Sequence, residues 1–176
     1  MPNIFVESDN HYYHKNIIRF SNRKPSGWDR LFADEFEMNE YMIEMHNEIV
    51  KPTDIVIHCG DYALCNFFSE LESVFKKLNG KTHLITGNHD HHSIEIRKRL
   101  SRLPFRTISD HNILWDNRVM FSHKPVLNPR YPNIHGHTHD TNMPSPMYFN
   151  ACVEALDYKP VALEDVMKQF RDKGVM

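Results

Sequence analysis

Aspartate, asparagine and histidine recur in this chain as short groups: Asp9-Asn10-His11, Gly60-Asp61, Gly87-Asn88-His89-Asp90, Ser122-His123 and Gly136-His137-Thr138-His139. They offer carboxylate oxygens, an amide oxygen and imidazole nitrogens, with no thiolate among them. That donor set suits Mn²⁺, Fe, Zn²⁺, Ni²⁺ or Co²⁺ better than Ca²⁺ or a structural cysteine-held zinc. It is also too large for one ion. Asp9, His11, Asp61 and His139 suffice for one site, and Asp61, Asn88, His123 and His137 for a second. Asp61 would be shared, since one carboxylate has two oxygens and can hold ions ~3.5–4 Å apart. Two divalent ions bring four positive charges, of which Asp9 and Asp61 cancel two, so the site stays positive even with one hydroxide bound. A phosphate ester suits that field. His89 stands next to a ligand without being needed as one, which leaves it free to act as general acid toward the leaving group. Asn10, His14 and Lys124 are the further candidates for touching substrate.

Those groups must be carried to one place. In layered α/β folds, sites form at the carboxyl ends of strands, and each group follows an apolar run that reads as a strand. The runs are residues 3–8, 54–59, 82–86, 119–122 and 133–135. Further strands are expected over 106–109, 113–115 and 147–153, with a turn at Asp116-Asn117. Helical periodicity predicts helices over 34–50, 66–78 (with Phe67 and Phe68 on the apolar face and Gly80 as C-cap), 93–103 and 162–173. A helical turn over 14–20 would place Ile17, Ile18 and Phe20 inward. Early alternation of strand and helix followed by hairpins implies an α/β sandwich of mixed sheets with helices outside. No repeat or linker divides residues 1–176, so one domain is expected.

Taken in order, the groups resemble the pattern of the calcineurin-like metallophosphoesterase family: D-x-H, G-D, G-N-H-D/E, H, then G-H-x-H. The segments SDNHYYHKNIIRF and NACVEALDYKPVAL are also similar to short bacterial and phage members. The resemblance implies a four-layer α/β/β/α sandwich, a dinuclear metal centre with the ligands assigned above, and His89 donating to the phosphate or leaving group. One departure matters. Phosphoprotein phosphatases of the family extend the second motif to G-D-x-x-D-R-G, whereas this chain reads Gly60-Asp61-Tyr62-Ala63-Leu64-Cys65-Asn66. The aspartate that orients the catalytic histidine and the arginine that grips phosphate are missing there. Asp90 is the remaining candidate for orienting His89, and Lys124 or Arg130 for replacing the arginine. The expected activity is hydrolysis of phosphate esters, diesters before monoesters. A phosphomonoesterase or nucleotide phosphatase on the same site, or a non-catalytic metal-binding scaffold, is the alternative.

Composition narrows the rest. Histidine makes up 13 of 176 residues, and one buried histidine alone would read as a structural hydrogen-bonder. His58, inside a strand, is read that way, and His91 and His92 as surface residues. Lys plus Arg is 21 against 23 for Asp plus Glu, a net charge of −2. No nucleic-acid footprint is therefore expected for the chain as a whole, and the basic run 97–102 reads as a solvated helix face. No apolar run is long enough to cross a membrane, and the start lacks a signal-peptide pattern. Three cysteines without a C-x-x-C pair point to a reduced, cytoplasmic protein. The absence of GxxxxGK[ST] removes P-loop chemistry. His137-Thr138-His139-Asp140-Thr141 fails the H-x-H-x-D-H pattern of metallo-β-lactamase-like hydrolases. The all-helical HD hydrolases conflict with the strands flanking His89-Asp90 and His139-Asp140.

Overall fold

The structure, a computed structural model, describes residues 2–176. In chain order its elements are β1 (Ile4–Glu7), α1 (Ile17–Phe20), α2 (Glu35–Ile49), β2 (Ile55–His58), α3 (Phe68–Lys77), β3 (Lys81–Ile85), α4 (Ile94–Leu100), β4 (Thr107–Ser109), β5 (Ile113–Trp115), β6 (Val119–Ser122), β7 (Asn133–His135), β8 (Tyr148–Asn150), β9 (Val161–Ala162) and α5 (Leu163–Asp172). They build two mixed sheets flanked by helices, the expected α/β architecture. One sheet has the order β4-β3-β2-β1-β9 and the other β5-β6-β7-β8. In the first, β1 to β4 run parallel and β9 is antiparallel to β1. In the second, β6 to β8 run parallel and β5 is antiparallel to β6.

The two-residue period of the strands sorts their side chains between two cores. Val6, Ile57 and Ile85 point to the second sheet and meet Val119, Phe121 and Ile134; α5 adds Leu163, Val166 and Phe170 to that layer. On the other side, Leu84 packs with Met38, Met42 and Met45 of α2, Leu71 and Val74 of α3, and Ile96 and Leu100 of α4. Parallel neighbours need a crossover, and the helices between β1 and β4 supply it. The carboxylate of Asp34 caps α2 by accepting from the Phe36 and Glu37 amides, and the Ser93 hydroxyl caps α4 by accepting from the Ile96 amide.

Parallel pairing has a direct consequence for the site. The chain leaves β1, β2 and β3 at one end of the first sheet, and the bridge between Ser8 and Cys152 ties that end to the segment following β8. The groups that follow β1, β2, β3, β6 and β7 therefore share one edge of the sandwich.

Some local expectations differ from the structure. Helix α1 is a single turn and leaves Phe20 exposed, while Phe67 stays outside α3 and is exposed. Helix α3 ends at Lys77, so Gly80 does not cap it. With φ +95° it turns the chain into β3 instead. Strand β9, only two residues long, had no periodicity to reveal it. The turn at Asp116-Asn117 is as expected, both residues having positive φ (49° and 51°), the twist that two-residue hairpins favour. Among the described residues, no helix is long and apolar enough to cross a membrane.

Candidate metal centre

The loops at this edge are held in a conformation that side chains other than glycine rarely adopt. Asp9 (φ 60°), His11 (50°), Asp61 (54°), His137 (71°) and His139 (50°) all lie in the left-handed region. Each costs roughly 1–2 kcal/mol relative to ordinary backbone, a strain that folded proteins concentrate at functional sites. Backbone bonds lock two of the loops together: the Asp9 amide donates to the Gly60 carbonyl (2.9 Å) and the His11 amide to the Asp61 carbonyl (3.1 Å). Glycines let the loops close on one another. A Cβ on Gly87 would lie 2.2 Å from Asp61 Oδ1, and one on Gly136 would lie 2.1 Å from Ser8 Oγ and 2.3 Å from Asp9 Oδ2.

The side chains then converge. Asp9 Oδ2 accepts from Ser8 Oγ (2.6 Å), the His137 amide (2.8 Å) and Cys152 Sγ (3.3 Å). Its other oxygen, Oδ1, is buried without a partner, as is His11 Nε2. These two atoms are 3.8 Å apart, and His11 Nε2 is 3.6 Å from Asp61 Oδ2. Asp61 Oδ2 is in turn 3.5 Å from His123 Nε2. Asp61 Oδ1 accepts from the His89 amide at 2.7 Å, so Oδ2 alone, and not both oxygens, faces the imidazoles of His11 and His123. Potential ligand atoms lie within 4.8 Å of one another in three groups: Asp9, His11 and His139; His11, Asp61 and His89; Asp61, His123 and His137.

This donor set fits cations. His123 Nδ1 is 3.0 Å from the Cys59 carbonyl, which can only accept. In the tautomer with its single proton on Nδ1, His123 would present an Nε2 lone pair toward the acceptor Asn88 Oδ1 at 2.9 Å. Two acceptors in contact, like the unpartnered Asp9 Oδ1 and His11 Nε2, are what a bound divalent ion would satisfy. His139 Nδ1 is held at 2.9 Å by Glu154 Oε1, which turns its Nε2 toward Asp9 and His11. Burial pushes the His11 imidazole down to about 4 despite the nearby Asp9 carboxylate, so it is neutral, the ligating form, at neutral pH. Burial would raise the Asp9 carboxyl, but the nearby His11 and His123 and the Ser8 hydroxyl outweigh that and keep it below the ordinary carboxylate range.

A buried tier beneath the ligands went unread in the sequence. Arg23, with 0% exposure, donates to the Asp9 carbonyl, to the Asn10 carbonyl (2.6 Å) and through Nε to Glu154 Oε1 (2.8 Å). Arg23, Glu154 and His139 thus form one chain of charge-assisted contacts. Glu154 lies within NACVEALDYKPVAL, the run similar to short family members, but nothing in that run marks its partner. Arg23 sits in an irregular stretch, and only the fold reveals its burial.

Five residues given roles from the sequence, Asn10, Asp90, His14, Lys124 and Arg130, stand at different distances from this centre. Asn10 is corrected: it is 1% exposed and faces inward, its amide nitrogen on Glu7 Oε2 (3.4 Å) and the Tyr12 hydroxyl (3.2 Å), its oxygen on His58 Nε2 (2.7 Å). Its side-chain amide is engaged by internal partners, away from the surface. Asp90 is corrected as well: its oxygens accept from the amides of Asp61 (2.8 Å), Tyr62 (3.0 Å) and Gly87 (2.8 Å), and it makes no hydrogen bond with His89. Burial raises its carboxyl to about 7 against the pull of those amides. It braces the loops carrying Asp61 and Asn88. His14 is beside the centre, its Nδ1 3.3 Å from His11 Nδ1 and its ring 5.7 Å from that of His89. Lys124 is exposed on the rim of a cavity that Asn88 and His123 also line. Arg130 is elsewhere: it extends over Tyr131 and lines a different cavity with Arg118 and Arg171.

Comparison with known proteins places the chain in a family. The profile of the family described as calcineurin-like phosphoesterase matches residues 2–169. The chain belongs to that family. It is 31% identical over 180 residues to the uncharacterized protein MJ1445 of Methanocaldococcus jannaschii, covering 96% of this chain and 91% of that protein. Among solved structures it is similar to the protein of unknown function AQ665 from Aquifex aeolicus, with a TM-score of 0.66 and 25% identity over 96% of this chain and 99% of the other. It shares its fold with the Pseudomonas putida nuclease MPE, with a TM-score of 0.51 and 18% identity over 77% of this chain and 61% of the nuclease.

The Arg23–Glu154–His139 chain makes a prediction. Glu154→Gln keeps the shape and removes the charge that orients His139, and it should weaken metal binding about 10–100-fold, the usual effect of losing such a partner. Titration of the apoprotein with Mn²⁺ measures it. Unchanged affinity in a normally folded variant would show that Glu154 does not support the ligand.

Proposed function

We propose that this protein is a dinuclear metal-dependent phosphoesterase that hydrolyses phosphodiesters in preference to phosphomonoesters. Asp9, His11, Asp61 and His139 hold one ion, and Asp61, Asn88, His123 and His137 the other. The observation that carries the reading is the place of Asp61 Oδ2, 3.6 Å from His11 Nε2 on one side and 3.5 Å from His123 Nε2 on the other. Oxygen and imidazole donors without thiolate favour Mn²⁺, with Fe, Ni²⁺, Zn²⁺ or Co²⁺ as substitutes. Such a pair of ions lowers the pKa of a bound water and clamps phosphoryl oxygens for in-line displacement.

The chain's own groups do the rest. His89 is fixed through its backbone, which donates to Asp61 Oδ1, so its ring stands 4.9 Å from that of His11. From there it delivers a proton to the departing oxygen as the phosphorus–oxygen bond breaks. Asp90 plays no part in that proton transfer; it keeps the loops of Asp61 and Asn88 in register. The diester preference follows from the cations available. Arg23 is buried and spent on Glu154 and two carbonyls, and Arg130 faces a different cavity. A monoester's second negative charge meets no arginine. The cysteines are all free and buried, which agrees with a reducing compartment such as the cytoplasm.

Two measurements test this reading. His89→Ala should retain metal content while kcat falls roughly 10²–10⁴-fold, less for esters with good leaving groups such as p-nitrophenol. An equal loss for good and poor leaving groups would reassign His89 to phosphate binding. Separately, kcat/KM for bis-p-nitrophenyl phosphate should exceed that for p-nitrophenyl phosphate with the same metal. A monoester advantage of about tenfold, ~1.4 kcal/mol in transition-state stabilisation, would overturn the diester preference.

A further inference from the structure

Next to the ligands lies an open cavity of about 490 Å³ whose lining includes Asn88, His123, His91, Asp110, Asn112 and Lys124. Its volume is in the range of sites that take small organic groups. Its polar groups fall into two sets. One set is closed on itself. Arg97 Nη1 is 2.8 Å from His91 Nδ1, and because a guanidinium only donates, that nitrogen accepts. The His91 proton is therefore on Nε2, donated to Thr86 Oγ1 at 2.6 Å. The Thr86 hydroxyl donates a hydrogen bond to Asp110 Oδ1 at 3.0 Å, and Arg97 Nη2 pairs with Asp110 Oδ2. The carboxylate is thus matched by a guanidinium, and this wall is neutral.

The other set is open. Among the described residues, the Lys124 ammonium pairs with no carboxylate and the Asn112 side chain makes no hydrogen bond; of Lys124 only the carbonyl is engaged, by Ser122 Oγ at 2.7 Å. A cation and an amide without internal partners thus stand over a neutral wall, beside two of the candidate ligands. The cavity also has a side. Asn88 and His123 border it, whereas His89 groups with His11 and Asp61. A diester lying across the centre, with its leaving group toward His89, would extend its retained substituent into this cavity.

Resting on the phosphoesterase reading above, we propose that this cavity is a subsite for a second phosphate on the retained substituent, bound by Lys124 and Asn112. The substrate class is then a phosphodiester within a multiply phosphorylated molecule, such as a nucleotide unit carrying a further phosphate, and not an isolated diester. The lysine's positive charge and the amide's donors match a phosphate's oxygens. A substituent without charge would leave the lysine in water and gain little.

The test uses two esters that expel the same leaving group: thymidine 5′-(p-nitrophenyl phosphate), with and without a 3′-phosphate, with the Mn²⁺-loaded protein. The 3′-phosphorylated ester should have a kcat/KM about tenfold higher, the scale of one charge-assisted hydrogen bond, and the gain should lie in KM. Lys124→Ala should abolish that ratio and Lys124→Arg should preserve most of it. Equal values for the two esters in the wild type, or a ratio that survives Lys124→Ala, would overturn the subsite. p-Nitrophenol release from neither ester would overturn the phosphoesterase reading, and direct binding then decides the subsite by itself. In calorimetric titrations, thymidine 3′,5′-bisphosphate should bind more tightly than thymidine 5′-phosphate, with the difference lost in Lys124→Ala; equal affinities would refute it.

Discussion

Asp9 and Asp61, at 0% and 1% exposure, are carboxylates placed side by side at the seam between two sheets. Burying one charge costs several kcal/mol after relaxation, and burying two like charges together costs more unless something positive or proton-donating answers them. Part of the answer comes from the chain: Ser8, Cys152 and the His137 amide on Asp9 Oδ2, and the His89 amide on Asp61 Oδ1. Those contacts engage one oxygen of each carboxylate and leave the other, Asp9 Oδ1 and Asp61 Oδ2, turned toward the imidazoles of His11 and His123. The remaining charge calls for cations, and the rest of the architecture serves to keep the arrangement from relaxing.

That holding is visible at each level. Parallel pairing of β1, β2 and β3 brings their exits to one edge, and the Ser8–Cys152 bridge joins the second sheet to it. The exits then turn through left-handed residues that stay in place only because backbone bonds and glycines let the loops lie against each other. Below them, Arg23 answers Glu154, and Glu154 orients His139. An arginine at this depth compensates a buried carboxylate, a use quite different from the phosphate-gripping arginine of the phosphatase branch.

Much of this was legible in the sequence because two simple periodicities meet there. Apolar runs end in Asp, Asn or His, after a glycine at Asp61, Asn88 and His137, and strands that run parallel must deliver such ends together. What was not legible depends on local twist or on long-range contact. Asn10 lies between Asp9 (φ 60°) and His11 (φ 50°), and its side chain faces the interior while theirs face the site; spacing alone could not assign that direction. Asp90 follows His89 directly but points to the backbone amides of Asp61, Tyr62 and Gly87, because the tight turn after β3 needs those donors satisfied. The Arg23–Glu154 pair spans 131 positions, a separation at which a single sequence carries no signal. Phe20 and Phe67 are exposed because each stands at the end of a short helix, where helical periodicity has run out.

The central claim is that one carboxylate oxygen, Asp61 Oδ2, is shared by two ions. Anomalous diffraction from crystals of the protein loaded with Mn²⁺ tests it most directly. The account expects two peaks roughly 3.5–4 Å apart with Asp61 Oδ2 between them, one bordered by Asp9, His11 and His139 and the other by Asn88, His123 and His137. A single peak at full occupancy under saturating Mn²⁺, or two peaks that do not share Asp61, would contradict it.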